Sequence, residues 1–157
     1  MFHRVRIQGL LLDPITERPI LILKDVADNK ILPIWIGSSE ANAIALQLEN
    51  IKVPRPMTHD LMCGILDKVA APMKEVRITD LKDNTYFADI VLGLGDADVH
   101  VDARPSDAVA LAVRTGAPIY VEEGIFERTS ELDEDNAEQL RKWLDDLSPE
   151  EMGRYEM

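Results

Sequence analysis

The chain has 157 residues, 46% hydrophobic and 29% charged, and a formal net charge of -12. That length supports one domain with its own core. A lone cysteine, Cys63, excludes an intramolecular disulfide and a cysteine-cluster zinc site, which fits a reducing cytoplasm.

The first residues, Met-Phe-His-Arg-Val-Arg, then alternate like a strand rather than forming a signal peptide. No segment approaches the ~20 apolar residues of a membrane span. A cytoplasmic protein with no membrane partner is therefore expected. Charge is unevenly spread: residues 1–127 carry 13 Lys+Arg against 19 Asp+Glu, and residues 128–157 carry 4 against 10. Such a surface repels phosphates, so a nucleic-acid partner would need a local site, with a divalent cation offsetting the charge.

Phe2–Leu12 reads as a strand, followed by a turn bracketed by Pro14 and Pro19. Ile20–Lys24 and Lys30–Ile36 are further strands about Asp28-Asn29, so the chain opens as an antiparallel meander. Gly37-Ser38-Ser39 breaks the third strand, and a serine is the expected cap of a helix over Glu40–Asn50, with Ala41, Ile44, Ala45 and Leu48 inward. Pro54-Arg55-Pro56 must be extended. Thr58 is the expected cap of a second helix, His59–Val69, with Leu61 and Ile65 inward, Met62, Leu66 and Val69 as further inward candidates, and Asp60 suiting the helix dipole.

Lys74–Leu81, Thr85–Leu94 and Asp98–Ala103 read as a second run of strands, followed by an Ala-rich helix over Ser106–Thr115, a short strand Pro118–Val121 and a turn or helix through Phe126. A last helix over Asn136–Leu147 groups Leu140, Trp143, Leu144 and Leu147 at helical spacing. The expected organisation is a domain over 1–127 and an acidic helical tail over 128–157. Strands in runs with interspersed Ala-rich helices and a C-terminal helix indicate an α+β, mixed α/β fold. Ala43-Ile44-Ala45-Leu46-Gln47-Leu48-Glu49 also echoes Ala108-Val109-Ala110-Leu111-Ala112-Val113-Arg114, as a duplication or by coincidence.

Four blocks in order, Leu32-Pro33-Ile34-Trp35-Ile36-Gly37, Glu40-Ala41 with Ala43–Leu46, Pro54-Arg55-Pro56 with Thr58-His59-Asp60-Leu61, and Asp102-Ala103-Arg104-Pro105-Ser106-Asp107-Ala108, resemble the bifunctional nuclease domain family. The resemblance runs over residues 5–127. It implies a nuclease acting on RNA, DNA or both, since plant members have both activities.

Nucleases commonly hold Mg²⁺ or Mn²⁺ on carboxylates to acidify a water and neutralise the phosphate. Glu40, Asp60, Asp102 and Asp107 are the carboxylates beside the blocks, with Asp102 and Asp107 the candidate metal ligands. His59 is the candidate general base, because histidine is the side chain that ordinarily titrates near neutral pH. Arg55 and Arg104 are candidates for phosphate binding, with Arg114 a further one, and Ser106 marks an anion-favouring helix start.

Each residue also has a structural reading. Asp60 and Asp107 suit helix starts, Ser106 and Thr58 suit caps, and Arg104 can tie its turn to Asp102 or Asp107. Trp35 suits a core strand. Two functions follow: a metal-dependent nuclease, or a non-enzymatic binding or regulatory module, a homo-oligomer whose polar blocks are structural and whose amphipathic tail docks on a neighbouring subunit.

Overall fold

The computed structural model describes residues 1–131. The helix expected over Asn136–Leu147 lies outside them. The strands are β1 (Phe2–Leu12), β2 (Pro19–Asp25), β3 (Ile31–Trp35), β4 (Met73–Lys82), β5 (Thr85–Leu94), β6 (Ala97–Ala103) and β7 (Ile119–Glu122). They form one sheet in the order β3-β2-β1-β7-β4-β5-β6. The helices are α1 (Ser38–Leu48), α2 (Thr58–Lys68), α3 (Pro105–Thr115) and α4 (Glu123–Glu131). The expected α+β fold is therefore present, and no helix among the described residues is long and apolar enough to cross a membrane.

Two antiparallel meanders, β1-β2-β3 and β4-β5-β6, flank the short β7. Strand β7 runs antiparallel to β1 but parallel to β4, so β1 and β4 point in opposite directions, as a two-fold axis would place them. Each meander ends in one of the two echoing helices. Helix α1 packs on β2, α3 packs on β4 and β5, and the two helices pack on each other. The echo in sequence is therefore matched by a repeat in topology: three strands and an Ala-rich helix, twice. Alanines make the close approach of α1 and α3 possible, and Ala41, Ala45, Ala108, Ala110 and Ala112 are all buried.

The principal core lies between these helices and the sheet, where Leu21, Leu23, Leu32, Ile44, Val76, Ile78 and Val109 are essentially inaccessible. A smaller cluster of Leu11, Ile20 and Ile22 takes the other face of the first meander and includes Trp35, whose indole donates to Asp13 at 3.0 Å. Strand β2 is thus buried on both faces, which explains its unbroken apolar run. A bulge between Ile7 and Gly9 shifts the alternation of β1, so that Val5 and Leu10 share the principal core.

Several local expectations are corrected. The residue before α1 is Gly37, with no side-chain cap, rather than Ser38 or Ser39, which are already helical. Likewise Met57 precedes α2 and Thr58 is its first residue. Leu48 is exposed rather than inward. The largest correction concerns α2: Leu61 and Ile65 are 57% and 53% exposed, and the inward stripe is His59, Cys63 and Leu66. Both stripes have helical spacing, so periodicity could not choose between them. Cys63 packs against the core and burial pushes its thiol up, which leaves it a small hydrophobe.

Candidate functional site

The site forms where the starts of α1, α2 and α3 meet. Pro105 opens α3, and because the residue before a proline is driven out of helical geometry, Arg104 is extended, at φ -71 and ψ 144. Its side chain leaves the helix and crosses to α1. There Nη1 donates to Glu40 Oε1 at 3.0 Å, while Nε donates to Asp107 Oδ2 at 2.9 Å. Asp107 lies in the first turn of α3, where an acid suits the dipole. Its second oxygen, Oδ1, lies 3.0 Å from Nε2 of His59, the buried residue that starts the inward stripe of α2. Glu40, Arg104, Asp107 and His59 thus form one chain of alternating polarity from three segments. The two carboxylates push the Arg104 guanidinium above its ordinary value, Asp107 foremost through its hydrogen bond.

Gly37 gives Glu40 its room. A β-carbon there would lie 2.1 Å from Glu40 Oε2, so any larger residue would displace the carboxylate from its place beside Arg104.

A second tie lies beneath. Arg114, at the end of α3, donates through Nε to Asp60 Oδ1 at 2.8 Å and through Nη2 to the carbonyl of Ala43 at 2.9 Å. Its Nη1 donates to the carbonyl of Ala110 at 2.8 Å. Asp60 Oδ2 accepts the amide of Met57 at 3.0 Å, satisfying an orphan donor at the start of α2. That amide, then Arg114, holds the Asp60 carboxyl below its ordinary value. Asp60 is therefore a structural anchor, as its place in a first turn allowed.

The chain of charges borders a cavity of about 430 Å³. Its lining includes the polar Glu40, Asn42, His59, Arg104, Asp107 and Arg114 and the apolar Leu46, Met57 and Met62. Besides Asp60, three of the expected residues lie outside its lining. Asp102 stands opposite Asp89 in the β5–β6 ladder. Its neighbours in register, Ala88 and Ile90, face the helix-side core, so by strand alternation Asp89 and Asp102 face away from it. The reach of Arg104 is accordingly to Asp107 and Glu40. Arg55 is exposed and outside the cavity, and Ser106 is buried under the first turn of α3.

The residues present do not fit a divalent cation in this arrangement. Both oxygens of Asp107 are engaged, and the Arg104 guanidinium already occupies the cationic place between Asp107 and Glu40. The separation of Asp102 from Asp107 by the sheet removes the expected pair, and no group of three or more metal-ligating side chains with suitable geometry occurs among the described residues.

Sequence reasoning missed Asn42. Its signal was the echo between the two helices: the alignment that sets Ala43 on Ala108 sets Asn42 on Asp107. Both positions line the same cavity.

Comparison with known proteins places the chain. A model of the bifunctional nuclease domain matches residues 21–134. An uncharacterised protein of Mycobacterium tuberculosis is 39% identical over 94% of this chain and 96% of its own length. Bifunctional nuclease 1 of Arabidopsis thaliana is 30% identical over 73% of this chain, a match that takes in 36% of the plant protein. Bifunctional nuclease 2 of the same plant is 32% identical over 58% of this chain and 29% of its own length. On the domain match and the full-length likeness together, the chain belongs to the bifunctional nuclease domain family.

Proposed function

We propose that the protein hydrolyses phosphodiester bonds of RNA or DNA at the cavity between α1, α2 and α3. The observation that carries this reading is the continuous chain His59–Asp107–Arg104–Glu40, every member of which lines that cavity. With Asp107 accepting from Nε2, the neutral imidazole of His59 keeps its lone pair on Nδ1, the atom that would take a proton from the attacking water as the P–O bond to the leaving sugar oxygen breaks and that oxygen is protonated from solvent. Asp107 holds the ring in that tautomer. Arg104 is 64% exposed at its side chain, and the Nη hydrogens not given to the carboxylates would meet the phosphate oxygens. The relatives named as bifunctional nucleases support the reaction class.

The test uses the purified chain on single-stranded and duplex RNA and DNA, with Mg²⁺, with Mn²⁺ and with chelator. Cleavage is expected, and Asp107→Asn should lower the rate by about 10²- to 10⁴-fold, the usual worth of a positioned general base. An unchanged rate in that variant would remove the residue assignment. The metal requirement is a separate arm: cleavage that persists in chelator ends the Mg²⁺ or Mn²⁺ reading and leaves the His59 chain in place.

A second reading, a non-enzymatic oligomeric binding module, is favoured by one observation. Helix α2 turns Leu61, Ile65 and Val69 outward, each more than half exposed, where a neighbouring subunit could cover them. Absence of cleavage together with self-association through α2 would select it.

A further inference from the structure

We propose that the cavity is a slot for a single nucleobase, so that the substrate is single-stranded nucleic acid with one base drawn out of its stack. This deepens the phosphodiesterase reading and rests on it for the identity of the chain that is bound.

Size comes first. At about 430 Å³ the cavity falls at the lower end of the ~300–1,000 Å³ range of small-ligand sites, the range of a mononucleotide rather than of a helix or a folded domain. Its lining has the two chemistries of a nucleotide. Arg104 supplies a cation, and Leu46, Met57 and Met62 supply apolar surface. Methionine sulfur is soft and makes favourable contacts with aromatic rings.

The third observation is Asn42. It lines the cavity, and its Oδ1 is buried with no hydrogen-bond partner. A buried acceptor left unpaired costs stability, and here it sits in helix α1, where alanine would be the better residue. A ligand with an N–H donor beside an acceptor resolves that cost, because a carboxamide can then pair twice. The Watson–Crick edge of every nucleobase has that pair of groups, and extruded bases are read in this way, between apolar side chains. A sugar phosphate has the anion but neither the flat apolar body nor the edge.

The experiment measures calorimetric binding of adenosine 5′-monophosphate to the full chain, with ribose 5-phosphate as the base-free comparison. The nucleotide should bind at least ~10-fold more tightly than the sugar phosphate, as expected for a base paired at its edge and packed on apolar side chains. Asn42→Ala should weaken nucleotide binding by about 5- to 100-fold while the melting temperature holds or rises. That combination separates a ligand-reading residue from a structural one. Equal affinity for the two probes, or unchanged nucleotide affinity in Asn42→Ala, overturns the proposal. Met62→Trp is a second variant at a solvent-facing position; it should fill the slot and abolish nucleotide binding, and retained affinity there also overturns it. The two readings fail separately. Nucleotide binding without cleavage of oligonucleotides keeps the slot and removes the phosphodiesterase. Cleavage with no preference for the nucleotide over ribose 5-phosphate does the reverse.

Discussion

A single proline decides the geometry at Arg104. Pro105 forces the preceding residue to be extended, which turns a helix-start arginine into one that reaches another helix. The residue types were legible in the sequence, but the partner was not. Asp102 and Asp107 stand almost equally near Arg104 along the chain, and only strand alternation sends Asp102 to the far face. Asp60 supplies a pH test at the same scale. The Met57 amide and Arg114 hold its carboxyl below the ordinary value, so its contribution is full above that value and is lost as pH falls through the depressed one. Asp60→Asn should therefore cost about 1 kcal/mol at neutral pH, a figure kept small because the group is partly exposed. The gap between wild type and variant should close below about pH 4. Chemical denaturation across pH 2–7 checks this, and a gap that widens in acid would contradict the sign.

At the scale of elements, the instructive case is α2. Its two stripes, Leu61–Ile65–Val69 and His59–Cys63–Leu66, have the same pitch, and apolar content favours the first. The second is inward because His59 is bound to Asp107 and Asp60 to Arg114, which set the rotation of the helix. Polar ties between helices have no signature in a single helix's pattern. Arg114 is the strongest of them: it joins α3 to α2 through Asp60 and to α1 through the Ala43 carbonyl, with its side chain almost wholly buried. Arg114→Met keeps the bulk and removes the bonds, leaving polar groups of two helices without their partner. A loss on the order of 3 kcal/mol is expected, which for a domain of this size lowers the melting temperature by roughly 5–10 °C. Calorimetry reads it directly; a shift below a degree would show that α2 is held by something else.

For the molecule as a whole, the arrangement is two copies of three strands and a helix meeting around β7, with the cavity at the junction of the helices. Each repeat contributes one polar position, Asn42 or Asp107, at matching places. One holds an amide that lines the cavity and the other a carboxylate that holds His59. The uncovered surface is also a property of the whole. Alongside the outward stripe of α2, the edge strand β6 has Val99 and Val101 on the helix-side face of the sheet, both more than a third exposed. A Leu61→Lys/Ile65→Lys double variant should leave stability within about 0.5 kcal/mol, because both side chains are already in water. If this surface is an interface, sedimentation should show the wild type self-associating and the variant as a monomer; a wild-type monomer at high concentration would dispose of the oligomeric reading.

The sequence by itself determined the strands and the three main helices of the described residues to within a few residues at their ends, the α+β class, the family resemblance and the echo between two helices. These depend on local propensity, periodicity and order along the chain, which are written in neighbouring residues. Only the tertiary structure decided which of two equivalent stripes of α2 is buried, that Arg104 joins Asp107 to Glu40 while Asp102 faces away, and that Asn42 shares a cavity with His59. Those outcomes depend on long-range pairings between helices and on which face a strand turns to the core, and hydrogen-bond geometry across such distances has no local trace.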